Sequence, residues 1–411
     1  MAFGTQMQVS GRPLARVRPA INALTSVRFF AAFYVAIFHW AKLHSRQGWP
    51  APVRNAALVG YIGVPMFFVL SGFILSYNYA PDDDRKRVDK RGFWVARFAR
   101  IYPVYLFGLV IAVPFFLKDL SKLGALDVAH VSLIGGTATT LTQAWSPATA
   151  CKWNCPGWTL SVEAFFYALF PFLLAPLLLL PVRRLLAVAA GTWLVALVGP
   201  SYVALGLPAH GALDFYVSTT PLARLPEFVI GMALGLVFLR TITHPEEVPR
   251  GAVTVVAGAA TVVLAGLIVA SSRIPEILLR TSLATPLFAA IIFALAVNTG
   301  RLQRSMSWPV LVLLGEASYA LYIIHVPILS YLNHGTRMIA GHRINARLDF
   351  GLAYLALSVA ASIVVLYVLE RPARRALRRR LAGFAAGGRF QPATSSAPAG
   401  SRAPAGREGA S

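Results

Sequence analysis

Residues 24–40 read LTSVRFFAAFYVAIFHW, a run apolar enough to enter a bilayer yet interrupted by one arginine and one histidine. The hydrocarbon core takes about 20 mostly apolar helical residues, so the stretch 21–41 reads as a membrane span whose two polar side chains need a reason to be there. The same reading applied outward finds further spans at roughly 57–79, 99–117, 158–180, 185–199, 222–239, 251–270, 277–298, 309–332 and 350–369. The fifth of these is the shortest. Composition agrees: of 411 residues, 57% are apolar and only 13% charged, against about 25% charged in ordinary soluble domains. The predicted fold class is all-α, a polytopic transmembrane helical bundle of about ten spans.

The formal charge of +22 has its explanation in topology. Arg12, Arg16 and Arg18, the basic run from Arg85 to Arg100, Arg183, Arg184, Arg240, Arg250, Arg301, Arg304 and the arginines of the tail all fall on one set of connecting segments. The other set holds fewer than half as many, among them Lys42, Lys118, Lys152 and Arg347. Basic residues concentrate on the cytoplasmic side and favour anionic lipid, so both termini are expected in the cytoplasm and no nucleic acid is expected as a partner. The N-terminal sequence MAFGTQMQVSGRPLARVRPA lacks the apolar centre of a cleavable signal. Three parts result: a cytoplasmic segment 1–20, a membrane domain 21–375, and a disordered cytoplasmic tail 383–411 rich in Ala, Pro, Gly and Ser. No repeat of fixed period stands out and no second globular domain is expected, which leaves the chemistry to the bundle.

Within the spans the polar residues are few. Arg28 and His39 lie eleven positions apart, which at about 100° per residue returns them to within about 20° of one helix face, separated by roughly 16 Å along the axis. Snorkelling and an interfacial position are the bland alternatives; a shared face favours a shared cavity. Ser71 and Gly72 sit mid-span, where small residues serve helix packing or a hydroxyl bonds across helices. Arg97 and Arg100, three apart, suit a grip on phosphates or simply mark a cytoplasmic border. Glu163 falls about one turn into the fourth span, at the depth of His39, and a carboxylate-oriented histidine is the usual general-base pairing. Arg224 and Glu227 read as an ion pair on one helix. Tyr319 and His325 lie in the middle to outer part of the ninth span, and Glu370 and Pro372 close the last one. Cys151 and Cys155, in a C-x3-C spacing on an outer loop, are placed where an oxidising exterior permits a disulfide. His130 is the one histidine near them, too few ligands for zinc, so no metal is expected.

Six blocks in order resemble the integral membrane acyltransferase 3 family, which includes bacterial O-antigen and exopolysaccharide O-acetylases and macrolide O-acyltransferases. Arg28 and His39 match its Arg-x10-His motif, GVPMFFVLSGFIL its FFVLSGF block, and RFARIYP its Arg-x-x-Arg-x-x-Pro block. WTLSVE, RLPEFVIGM and LGEASYALYIIHVPI match its later blocks, and the resemblance spans about residues 21 to 375. Thr159 departs from the usual serine. The resemblance implies a membrane O-acyltransferase of the bacterial inner membrane that moves an acyl group, most often acetyl, from cytoplasmic acyl-CoA as co-substrate to a hydroxyl of a surface carbohydrate or glycolipid, with no resident cofactor; a macrolide is the alternative acceptor. Under that implication Arg28, Arg97 and Arg100 would hold acyl-CoA. His39 would be the base, or transiently carry the acyl group, with Glu163 as its orienting partner and Tyr319 and His325 lining the acceptor cavity. The competing class is a transporter or flippase of lipid-linked sugars, in which intramembrane Arg, Glu and His form a substrate path; the absence of similar halves speaks against it.

Overall fold

Proline fixes the start of several helices and interrupts others, and the way the bundle repairs those interruptions decides where its site lies. The structure, a computed structural model, describes residues 18–43, 48–81, 88–122, 128–206, 210–243, 250–298, 300–342 and 346–377. The tail expected from residue 383 and nearly all of the N-terminal segment lie outside those residues. Among the described residues every regular element is helical, and ten helical segments are long and apolar enough to cross a membrane. The chain is a multi-pass membrane protein.

The first half runs α1 (Asn22–Lys42), a short α2 (Ala51–Leu58), α3 (Gly63–Tyr79), α4 (Lys90–Lys122), α5 (Val128–Thr139), α6 (Trp158–Leu178) and α7 (Val182–Ala204). The second runs α8 (His210–Thr219), α9 (Pro221–Thr243), α10 (Arg250–Val269), α11 (Glu276–Arg280), α12 (Thr285–Val297), α13 (Arg301–Met306), α14 (Pro309–Ala340) and α15 (Leu348–Val365), which continues as a π-helical turn to Glu370. The expected fifth span, 185–199, is longer than its sequence suggests. Proline in a helix interior leaves the carbonyl four residues earlier without its donor, and Pro200 marks an apparent end on that basis. The helix continues because Ser282 donates its hydroxyl to the freed Ala196 carbonyl at 3.1 Å.

That repair recurs. Pro171 frees the Tyr167 carbonyl, which accepts from the Trp94 indole N–H at 2.9 Å. Pro327 frees the Ile323 carbonyl, which accepts from the Asn154 amide at 3.0 Å. In a lipid environment an unpaired backbone carbonyl has no water to turn to, so each of these side chains fixes one helix against another.

The centre of the bundle is α3 crossed by α9, and α1 against α14. A Cβ added to Gly72 would lie 2.1 Å from the Phe228 carbonyl oxygen, and one added to Gly231 would lie 2.0 Å from that of Val69. Only glycine allows the two backbones so close, the small-residue approach typical of membrane helices. By contrast α7 and α10 turn most of their residues outward, with Val195, Val198, Val255 and Val262 exposed, as expected of helices whose neighbour is lipid. Hydrogen bonds tie the helix ends into two opposite poles. At one, Arg18 donates to the Tyr77 carbonyl, Arg240 to that of Leu178 and Arg371 to Glu316. The other carries Lys42, the Arg280–Glu276 pair and the Arg347–Asp349 pair.

Residues 128–157 hold α5 and then a segment that turns back into the bundle. The buried Gln143 donates to the Gly157 carbonyl at 2.8 Å and to the Tyr105 hydroxyl at 2.9 Å, the Trp153 indole to the Leu109 carbonyl at 3.0 Å. Cys151 and Cys155 are joined by a disulfide within this segment.

Candidate active site

A cavity of about 330 Å³ opens at the arginine pole between α1, α3, α4, α6 and α14. Arg18, Arg28, Arg97 and Arg100 line the cavity, so Arg18 ahead of α1, Arg28 on it and the pair three apart on α4 together produce a cationic vestibule. Arg97 donates to the Tyr79 hydroxyl at 3.2 Å, and its guanidinium lies 5.5 Å from the Tyr79 ring centroid and 5.9 Å from that of Tyr167. Its buried Nε has no partner. A planar cation held between two aromatic rings with an unused donor is suited to a planar or phosphate-like anion.

Further in, Ser71 donates to Glu163 Oε1 at 3.1 Å and the Tyr167 hydroxyl donates to the same oxygen. Arg28 lies within electrostatic reach of Glu163 and also of Arg100 and Glu370. The deepest part is lined by Val64, Phe67, Phe68, Thr159, Leu160 and Tyr322, an apolar end with two hydroxyls. Tyr319 also lines the cavity and donates to the Ile101 carbonyl of α4; it belongs to this chamber and not to a separate outer one.

His39 lies beyond the cavity, and its partner differs from the expected one. Its Nδ1 is 2.9 Å from the Val35 carbonyl and 3.2 Å from Nε2 of His325, whose own Nδ1 is 3.1 Å from the Leu321 carbonyl. A carbonyl oxygen only accepts, so each Nδ1 carries the proton and each Nε2 a lone pair. His325 Nε2 faces the His39 Nδ1–H, and His39 Nε2 is left free. The two rings also meet edge to face, centroids 4.9 Å apart. His325 is fully buried, whereas His39 is half-buried at the pole opposite the vestibule.

Glu163 therefore does not orient His39. Counted from the start of the fourth span, Glu163 would share the depth of His39 only if that start lay at the membrane border. The segment before α6 instead folds inward, pinned by Asn154 to Ile323 in the middle of α14, and everything after it is displaced toward the arginine pole. Glu163 thus joins Arg28 in the cavity, and His325 takes the place beside His39 expected for the carboxylate. The Arg224–Glu227 pair forms as the spacing suggests, buried, with nitrogen and oxygen 3.0 Å apart but out of line for a hydrogen bond; Arg224 also donates to the Arg280 carbonyl and lies over the Phe68 ring. Tyr167, Tyr322 and Arg18 were not singled out from the sequence. The i, i+4 spacing of Glu163 and Tyr167 is the one local signal that marks any of them.

A polar chamber sunk among apolar helices, cationic at one end and close to a histidine pair at the other, defines a polytopic membrane protein with an intramembrane reaction site. A family model described as an acyltransferase domain matches residues 21–367, and the chain belongs to that acyltransferase 3 family. It is accordingly a membrane O-acyltransferase, an enzyme of the O-acetyltransferase type. Similar proteins include acyltransferase MdmB of Streptomyces mycarofaciens, 30% identical over an alignment 390 residues long that covers 88% of this chain and 93% of that one. Exopolysaccharide production protein ExoZ of Rhizobium meliloti is 29% identical over 340 residues, 80% of this chain and 94% of its own. Peptidoglycan O-acetyltransferase OatA of Listeria monocytogenes is 26% identical over an alignment 340 residues long that covers 76% of this chain but 49% of OatA. No solved structure gives a significant match.

Proposed function

We propose that the enzyme takes an acetyl group from cytoplasmic acetyl-CoA and passes it to a hydroxyl of a carbohydrate or glycolipid at the outer face of a bacterial inner membrane, with His39 as the general base and both termini in the cytoplasm. The observation that carries this reading is a cavity with Arg18, Arg28, Arg97 and Arg100 at one end that stops short of a histidine whose free Nε2 lies at the other pole. Phosphates of the donor belong with the arginines, because CoA is strongly anionic and charge-assisted contacts to guanidinium are strong. Its uncharged pantetheine arm and thioester then extend along the apolar wall. The names of ExoZ and OatA, a polysaccharide-production protein and a peptidoglycan O-acetyltransferase, support a saccharide acceptor.

In the reaction the acceptor hydroxyl gives its proton to His39 Nε2 while its oxygen attacks the thioester carbonyl carbon. Collapse of the tetrahedral adduct breaks the C–S bond, and the departing CoA sulfur recovers the proton from the imidazolium. During the step the positive charge on His39 is stabilised through Nδ1–H, directed at the Val35 carbonyl and His325 Nε2. Glu163 acts on the donor side, beside Arg28.

The test compares alkali-labile acetyl esters on surface carbohydrate, by mass spectrometry and NMR, in wild-type cells, the deletion strain and cells with His39→Ala at equal expression. The expected outcome is loss of one ester in the deletion and at least about a hundredfold less of it with His39→Ala, the scale of general-base catalysis. An ester lost in the deletion but retained with His39→Ala overturns the base assignment. No ester lost in either strain overturns the acceptor class.

A further inference from the structure

The cavity follows α14 from Ser318 to Tyr322 and ends there, one helical turn before His325. Neither histidine lines it. What stands between them is a pair of aromatic rings: Phe67 of α3 meets Tyr322 edge to face with centroids 5.7 Å apart, and the Tyr322 centroid lies 5.9 Å from that of the His325 ring. Tyr322 and Thr159 line the same end of the cavity, and the Thr159 hydroxyl donates to the Pro156 carbonyl at 2.9 Å. The Tyr322 ring thus meets Phe67 of α3 and shares this end with the start of α6. Around it Val64, Phe68 and Leu160 complete an apolar end.

Resting on the proposed donor and base, we infer that Phe67 and Tyr322 set the size of the acyl group the enzyme transfers. A donor anchored by its phosphates at the arginines presents its acyl end to this pair, and the carbonyl carbon must come up to the Tyr322 ring to approach His39, with the acyl chain pressed between the two rings. An acetyl group adds one methyl beyond the carbonyl, which a small rotation of the two rings admits. A longer chain has to displace Phe67 into Val64 and Phe68, and overpacking of a filled interior is unfavourable. The pair thus selects for short acyl groups by exclusion and not by added affinity, the repulsive half of specificity.

The experiment uses inside-out membrane vesicles from cells expressing the full-length chain, which hold the endogenous acceptor and expose the cytoplasmic face. Radiolabelled acetyl-CoA and hexanoyl-CoA are supplied separately, and label in alkali-labile ester is followed against vesicles from the deletion strain. Wild type is expected to favour acetyl strongly. Phe67→Ala raises the hexanoyl-to-acetyl ratio of kcat/KM at least about tenfold, Phe67→Leu raises it less, and Tyr322→Phe, which keeps the ring, leaves it near wild type. Phe67→Leu changes the packing little, so the inference stays testable even where Phe67→Ala lowers expression. An unchanged ratio in Phe67→Leu and Phe67→Ala, both still transferring acetyl, overturns the selection role and leaves the acyl-CoA reading standing. Wild-type vesicles that incorporate neither label overturn the donor reading, and the inference falls with it.

Discussion

Two histidines 286 positions apart in sequence occupy the place that a histidine and a carboxylate were expected to share, and the consequence is kinetic. If His325 positions His39, His325→Gln lowers kcat by about 10² with little change in KM for acetyl-CoA, because it alters the step that needs the imidazolium. Glu163→Gln behaves differently: it disturbs the group beside Arg28, so KM for acetyl-CoA rises while kcat falls less. Steady-state kinetics of the two variants in reconstituted membranes separate these outcomes, and a kcat-only defect in Glu163→Gln would restore the carboxylate to the base. Arg28 and His39 were legible because both stand on one helix, where spacing alone determines the face. The His39–His325 bond was not, since it depends on how α1 meets α14, and no local pattern encodes the relative height of two helices. For Ser71 the sequence leaves packing and a bond across helices both open; its hydroxyl's route to Glu163 is visible only with α3 and α6 side by side.

Among the helices, the proline repairs are the most informative feature. Asn154 and Pro327 act as a unit: the amide serves a carbonyl that the proline has freed. Removing the amide alone leaves a buried acceptor unpaired, which costs about 1–3 kcal/mol, and Asn154→Ala is expected to lower the unfolding temperature accordingly. In a Pro327→Ala background the residue at 327 supplies its own N–H, and the same Asn154→Ala change becomes much less harmful. A double-mutant cycle measured by thermal unfolding in detergent reads this coupling directly; additive effects would show that the two residues do not act together. Helix positions themselves were largely readable from apolar run length. α7 runs past Pro200, beyond the expected 185–199, because the partner that satisfies the freed Ala196 carbonyl, Ser282, lies 86 residues away in sequence, where no local pattern shows it. The inward turn before α6 was hidden for a related reason: its apolar and small residues look like an ordinary loop border, and only Asn154 and Gln143 in their buried partnerships reveal the depth.

For the molecule as a whole, the uneven distribution of basic residues supports the proposed placing of the arginine pole in the cytoplasm. With Cys151 and Cys155 bridged, the chain offers a clean background for single-cysteine labelling. Arg347→Cys is expected to react with a membrane-impermeant maleimide in intact spheroplasts, and Arg91→Cys only after permeabilisation. The reverse pattern would invert the proposed direction of transfer. The general architecture was legible because bilayer thickness imposes one length on every span, whereas the chamber arises from side chains contributed by five helices and has no counterpart in any single stretch.

The aromatic end of that chamber also bears on the cell's energetics. An open, arginine-lined passage would conduct anions down the membrane potential, at about 2.3 kcal/mol of driving force per charge for every 100 mV. With Phe67 and Tyr322 closing the cavity, an insulating layer remains across the protein. In the proposed reaction the enzyme can therefore hold a cytoplasmic donor close to an external acceptor without short-circuiting the gradient that powers the cell.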